Sequence, residues 1–148
     1  MRASVAEILH AAGVTVESAD VRALGTVMRI APAENVAALG ALASAGFDQL
    51  VDLFGVDTGE QVEVTYHVRV LAEMDDAYVR LAVPYDATLR SVWQVYPAAL
   101  YPEREVAELF GLSLEGHPNP KRLLTTDGVE PLLRKSVVVR DAEEVRYS

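Results

Sequence analysis

The residues best suited to chemistry crowd into one stretch. Glu103-Arg104-Glu105 is followed by Glu108-Leu109-Phe110-Gly111, then by His117-Pro118 and Lys121-Arg122-Leu123-Leu124, with Arg134-Lys135 further on. Paired carboxylates can act as general acid and base, but side chains two apart on a helix diverge by about 200°, so Glu103 and Glu105 cannot flank one bond unaided. His10, His67 and His117 stand far apart, and no second histidine sits at the i,i+4 spacing of a helical zinc site. Cysteine is absent, which removes disulfides, catalytic thiolates and self-ligated iron–sulfur clusters together. The sequence has no glycine-rich phosphate loop, nucleophile elbow or dinucleotide fingerprint. No catalytic, cofactor-binding or metal-binding residue is therefore assigned.

With Pro102 as first helical residue, a 100° step per residue places Pro102, Val106, Leu109 and Phe110 on one apolar stripe. Glu103 and Glu105 fall at its edges, and Arg104 and Glu108 point away together. First-turn acids favour the helix dipole and Arg104–Glu108 is an ordinary i,i+4 pair, so spacing alone is satisfied by a plain surface helix.

The rest of the chain must position this stretch. At 148 residues, 51% of them hydrophobic, one packed core is expected. Ser4-Val5-Ala6-Glu7 has capping-box spacing, Val5, Ile8, Leu9 and Ala12 repeat at helical period, and Gly13 can close the helix. Val14 to Ile30 reads as two strands broken near Asp20 and Gly25, the second running from Leu24 to Ile30. Pro32 opens a second helix, with Val36, Leu39 and Leu42 as its buried stripe and Gly46 after it.

The clearest periodicity runs from Gln61 to Leu71, where Val62, Val64, Tyr66, Val68 and Val70 alternate with polar residues. One face is core and the other, with His67, faces water or a partner. Leu50 to Val56 and Tyr78 to Val83 flank this strand through turns at Asp57-Thr58-Gly59 and Met74-Asp75-Asp76, completing a three-strand meander. The order αββαβββ predicts an α/β (α+β) two-layer sandwich with both helices on one sheet face. Ser91 to Phe110 reads as two helical pieces separated near Pro97 or Pro102, and Gly111 to Lys135 as a functional or partner-bound loop. The expected organisation is one domain, with an α/β core over 1–96 and a partner-contacting helix, loop and tail over 97–148.

Formal charge is −9, which opposes binding to nucleic acid or anionic lipid. Residues 1–120 carry 17 acidic and 7 basic side chains, whereas 121–148 carry 5 and 6, so basic contacts are expected from the tail. No run of about eighteen apolar residues and no secretion-signal layout is present, which predicts a cytosolic protein.

Glu103-Arg104-Glu105, two positions, Glu108, two apolar residues, six positions to His117, then Lys121-Arg122 before Leu123-Leu124 resembles the signature of the "30 kDa" (C) subunit of respiratory complex I, NADH:quinone oxidoreductase. Upstream, Gly46-Phe47, Leu50-Val51-Asp52-Leu53 and Ser91-Val92-Trp93 resemble the same family, as does Pro131-Leu132-Leu133-Arg134-Lys135 downstream, for coverage of about residues 24–135. Departures are Tyr101-Pro102 in place of two aromatics, Glu108 for the usual Asp, and Ser136 for the Asp after Arg-Lys.

The resemblance implies a mixed sheet, no flavin or cluster of its own, and a place in the hydrophilic arm beside the large quinone-binding and iron–sulfur subunits. It further implies a peripheral position on the cytoplasmic side of the cell membrane, reached only through the complex. The partner interface is expected at Glu103, Arg104, Glu105, Glu108, His117, Lys121, Arg122, Arg134 and Lys135. Only 13 residues follow Lys135, which implies a smaller contact than in longer-tailed members. Membrane-bound nickel–iron hydrogenases and formate hydrogenlyases contain a similar module and supply the alternative assignment.

Overall fold

A computed structural model describes residues 4–22 and 25–118, so Lys121, Arg122, Arg134 and Lys135 lie outside the described residues. Helix α1 spans Val5–Ala11; the Ser4 hydroxyl accepts from Glu7 N–H at 3.2 Å, and Gly13 takes φ +79° beyond the helix end. Strands β1 (Val16–Arg22) and β2 (Gly25–Ile30) form an antiparallel pair. Pro32 opens a 3-10 turn to Glu34, which leads into α2 (Asn35–Ser44). The buried face of α2 is Asn35, Ala38, Leu39 and Leu42, with Val36 only partly covered.

The meander is β3 (Gln49–Asp57), β4 (Gln61–Val70) and β5 (Asp75–Pro84). Asp57 closes its first turn, because its Oδ1 accepts from Gly59 N–H at 2.8 Å and from the Tyr85 hydroxyl at 2.6 Å. The second turn corrects the sequence expectation. It is Leu71–Met74, with Met74 at φ +54°, while Asp75 and Asp76 belong to β5 opposite Val70 and Arg69. Asp76 is drawn into the strand by its partner: Arg69 Nε donates to its carboxylate at 2.6 Å, and that bond holds the Asp76 carboxyl below its ordinary range.

The sheet order is β1-β2-β5-β4-β3, with β2 and β5 parallel and all other pairs antiparallel, the mixed sheet that the resemblance implied. Val62, Val64, Tyr66, Val68 and Val70 are buried against the helical layer, as the alternation in β4 demands. His67 is not water-facing: its ring stacks on Tyr78 at 4.2 Å, its side chain is 13% exposed, and Nε2 lies 3.4 Å from Asp76 Oδ2.

Residues after Pro84 depart furthest from expectation. Thr88–Arg90 is a short strand, β6, paired in parallel with β7 (Ser113–Glu115), and the span between Ser91 and Tyr96 is turn rather than helix. A second 3-10 turn, Pro97–Ala99, leads into α3 (Leu100–Phe110), which ends at Gly111 in the left-handed conformation with φ +75°. Pro102 sits inside the first turn of α3, where its missing N–H costs nothing.

Helix α3 packs on β3 at one close point. A Cβ built on Gly55 would stand 2.9 Å from Phe110 Cε2 and 3.4 Å from Val106 Cγ1, and Phe110 is itself buried. Gly55→Ala therefore forces helix and strand apart and should destabilise the fold by about 1–3 kcal/mol, the usual range for overpacking. Urea unfolding of wild type and variant checks this; equal midpoints would show that the ring yields freely.

Candidate functional site

Two of the signature residues, Glu103 and His117, take part in a clasp that joins α3 to the segments before and after it. Glu103 has no exposed surface; its carboxylate accepts from the Ser91 hydroxyl and, at 2.7 Å, from Val92 N–H. Ser91 in turn accepts from Trp93 N–H at 3.2 Å, which fixes the turn that follows β6. His117 Nε2 donates to Leu100 O at 2.7 Å, so this imidazole is bonded to backbone within the chain. Trp93 Nε1 donates to Gly116 O at 3.0 Å and Ser91 N–H to Glu115 O at 2.8 Å, closing the ring of contacts around the start of α3.

A second set of long-range bonds secures this clasp to the core. The Tyr96 hydroxyl donates to Phe47 O at 2.6 Å, and the fully buried Asn35 amide donates to Arg90 O at 2.7 Å and to the Tyr66 oxygen at 3.2 Å. Buried polar groups are costly unless satisfied, so each of these bonds fixes a neighbour's position. The bonding roles of Ser91, Tyr96 and Asn35 are not legible in the sequence, since a lone polar residue carries no periodic signal.

The helical wheel needs one correction. Val106, Leu109 and Phe110 are buried and Glu105 is exposed, in keeping with the stripe, but Glu103, Arg104 and Glu108 are buried as well, at 0%, 9% and 5% exposure. A plain surface helix is thus excluded. Arg104 and Glu108, expected to point away into solvent, line a cleft of about 420 Å³ with Ala107, Gly111, Leu112, Ser113 and Leu114. The Arg104 guanidinium also lies over the Tyr101 ring, 5.9 Å from its centroid.

Burial pushes the Glu103 carboxyl above its ordinary value of 4.5, and the bonds from Ser91 and Val92 and the nearby His117 oppose that rise. The folded chain accordingly holds this proton more tightly than the unfolded chain. Glu103's contribution grows as pH falls through its folded-state value and is complete below 4.5; it is lost again as pH rises. Among the described residues no three His, Asp or Glu side chains converge as a metal site requires. The arrangement is a device for positioning a helix.

Residues 28–143 match the family model described as respiratory-chain NADH dehydrogenase, 30 Kd subunit. The chain belongs to that family. Among curated relatives, the C subunit of NADH-quinone oxidoreductase from Phenylobacterium zucineum is 37% identical over 106 residues, 69% of this chain and 51% of that protein. The C subunit from Jannaschia sp. is 34% identical over 140 residues, 89% of this chain and 68% of that protein. The chain spans about half the length of the first curated relatives it matches. Among solved structures, the trypsin-resistant fragment (1–134) of Nqo5 superposes with a TM-score of 0.67 at 27% identity, covering 78% of this chain and 96% of the fragment. A chain of the membrane-bound sulfane sulfur reductase, an archaeal respiratory membrane complex, gives 0.62 at 26% identity, covering 76% of this chain and 69% of that one.

Glu103→Ala removes the acceptor from two donors and should cost about 1–3 kcal/mol, whereas Glu103→Gln keeps an acceptor in place and should cost less. Relative to the Gln variant, the wild type should gain stability as pH is lowered from 7 towards 5. Chemical denaturation across that range checks the sign; a wild-type advantage that shrinks on acidification would contradict the assignment.

Proposed function

We propose that this chain is a non-catalytic hydrophilic-arm subunit of a proton-translocating NADH:quinone oxidoreductase, bracing and docking the large quinone-binding subunit beside the iron–sulfur subunits. The observation that carries the proposal is the family match over residues 28–143 together with relatives named as the C subunit of that enzyme. Those names favour it over the equivalent place in a nickel–iron hydrogenase or formate hydrogenlyase. The physical character of the site agrees: its polar groups are used to fix α3 and its flanks, which is what a brace needs.

Partner contact is assigned to the part of the domain from residue 97 onward. Glu103 and His117 act from within, setting the direction of α3 and of the loop after it. Glu105 and Tyr101 are exposed on that helix, Arg104 and Glu108 shape the cleft beside it, and Lys121, Arg122, Arg134 and Lys135 supply positive charge for carboxylates on the large subunit. Where such a pair is desolvated, removing one member costs about 2–5 kcal/mol, far more than at an exposed rim.

No helix among the described residues is long and apolar enough to cross a membrane. The proposed location is peripheral, on the cytoplasmic side of the cell membrane, held there through the complex.

The test is to tag the chain in its native host, purify it gently in detergent and identify the co-purifying proteins by mass spectrometry. Quinone-site and iron–sulfur subunits without a nickel-site subunit are expected. Nickel–iron hydrogenase chains would move the assignment to the alternative, and a solitary protein would overturn it. Lys121→Glu should lower incorporation into the complex while the purified chain keeps its wild-type circular dichroism; full incorporation and full turnover would count against the interface. The purified chain should also be colourless, without stoichiometric iron, nickel or flavin.

A further inference from the structure

The helices cover one face of the five-stranded sheet, and the clasp lies on that side. Among the described residues no helix covers the other face. Registers place its side chains in rows across the strands. One row runs Phe54, Thr65, Arg80 and Arg29 across β3, β4, β5 and β2; the next holds Val56, Glu63 and Ala82.

The β3 end of this face is apolar and accessible, with Phe54 37% and Val56 50% exposed. The β5 end carries arginines. Arg80 and Arg29 are direct neighbours, yet the Glu63 carboxylate is taken by Arg29 at 2.7 Å. Arg80 donates Nε to the Thr65 hydroxyl at 2.8 Å, and among the described residues its guanidinium has no carboxylate partner. The planar fork of an arginine suits a carboxylate taken through two parallel bonds. Here the fork of Arg80 is held by one neutral bond, beside an arginine that is ion-paired to Glu63.

We propose that this face is a second docking surface, covered in the assembled complex by a segment of another subunit that sets a carboxylate on Arg80 and apolar side chains on Phe54 and Val56. The inference rests on the subunit role proposed above and adds a contact on the opposite side of the sheet from α3. Neighbouring strands stand about 4.8 Å apart, so Phe54 and Arg80, two strands apart, set the acid and the apolar anchor of the incoming segment about 10 Å from each other. Opposite charge at this spacing fixes the register of the contact, and the apolar end supplies the area that leaves water.

The test places a photoreactive p-benzoylphenylalanine at position 54 of the full chain in its native host, irradiates the assembled complex and maps the cross-linked peptide. The expected product joins position 54 to a peptide of another subunit bearing Asp or Glu near apolar residues. Arg80→Glu should reduce its yield about tenfold, the order expected for one charge-assisted contact, with the circular dichroism of the chain unchanged. Changing the partner's acid to Arg should restore the yield in that variant.

A product with residues 119–148 of the same chain, or with a second copy, would overturn the proposal, as would an unchanged yield in Arg80→Glu. No product from position 54 while the same probe at Tyr101 captures a subunit would overturn the second surface and leave the subunit role standing. A chain that co-purifies with no subunit at all would bring down both.

Discussion

A carboxylate with no exposed surface has to be met by donors inside the protein, and meeting Glu103 organises the segments around α3. The Ser91 hydroxyl and Val92 N–H reach it from the turn after β6, so the first turn of α3 cannot move without that segment. His117 secures the other flank by holding Leu100 O. Glu103 and His117 thus do their work at short range within the chain, and any contact with a partner depends on the orientation they impose.

The large sheet was legible because its information is periodic. Five alternating apolar residues in β4 fix both its secondary structure and its buried face, and Asp57-Thr58-Gly59 marks its hairpin through a side chain that caps its own turn. The first helix was equally plain from Ser4, Glu7 and Gly13. Asp75 and Asp76 misled because acids favour turns in general, while here Arg69, directly across the ladder, draws Asp76 into the strand. Local preference yielded to a cross-strand ion pair.

The region after Pro84 was harder to read for a different reason. Strands β6 and β7 are three residues each, too short to show alternation, and they pair across an intervening helix. The burial of Arg104 and Glu108 was likewise hidden, since a wheel assigns charged residues to solvent unless tertiary contacts are known. Resemblance to the 30 kDa subunit family singled out Glu103 and His117, but their bonding geometry came only from the fold. The tail cations were singled out by the resemblance and by the segregation of charge along the chain.

The bonds that secure the clasp span long stretches of chain: Tyr96 reaches Phe47 across 49 positions and Asn35 reaches Arg90 across 55. Between those partners lies the meander, whose strands are joined by tight turns and meet their nearest neighbours in sequence. Contacts that close short loops form ahead of those that close long ones, because each long closure gives up more chain entropy before it is rewarded. Chain entropy therefore favours the hairpins over the clasp around α3 as the contacts to close first. The orientation of α3 thus depends on a core assembled from segments far apart in the described chain, so loosening the meander would also loosen the helix it carries.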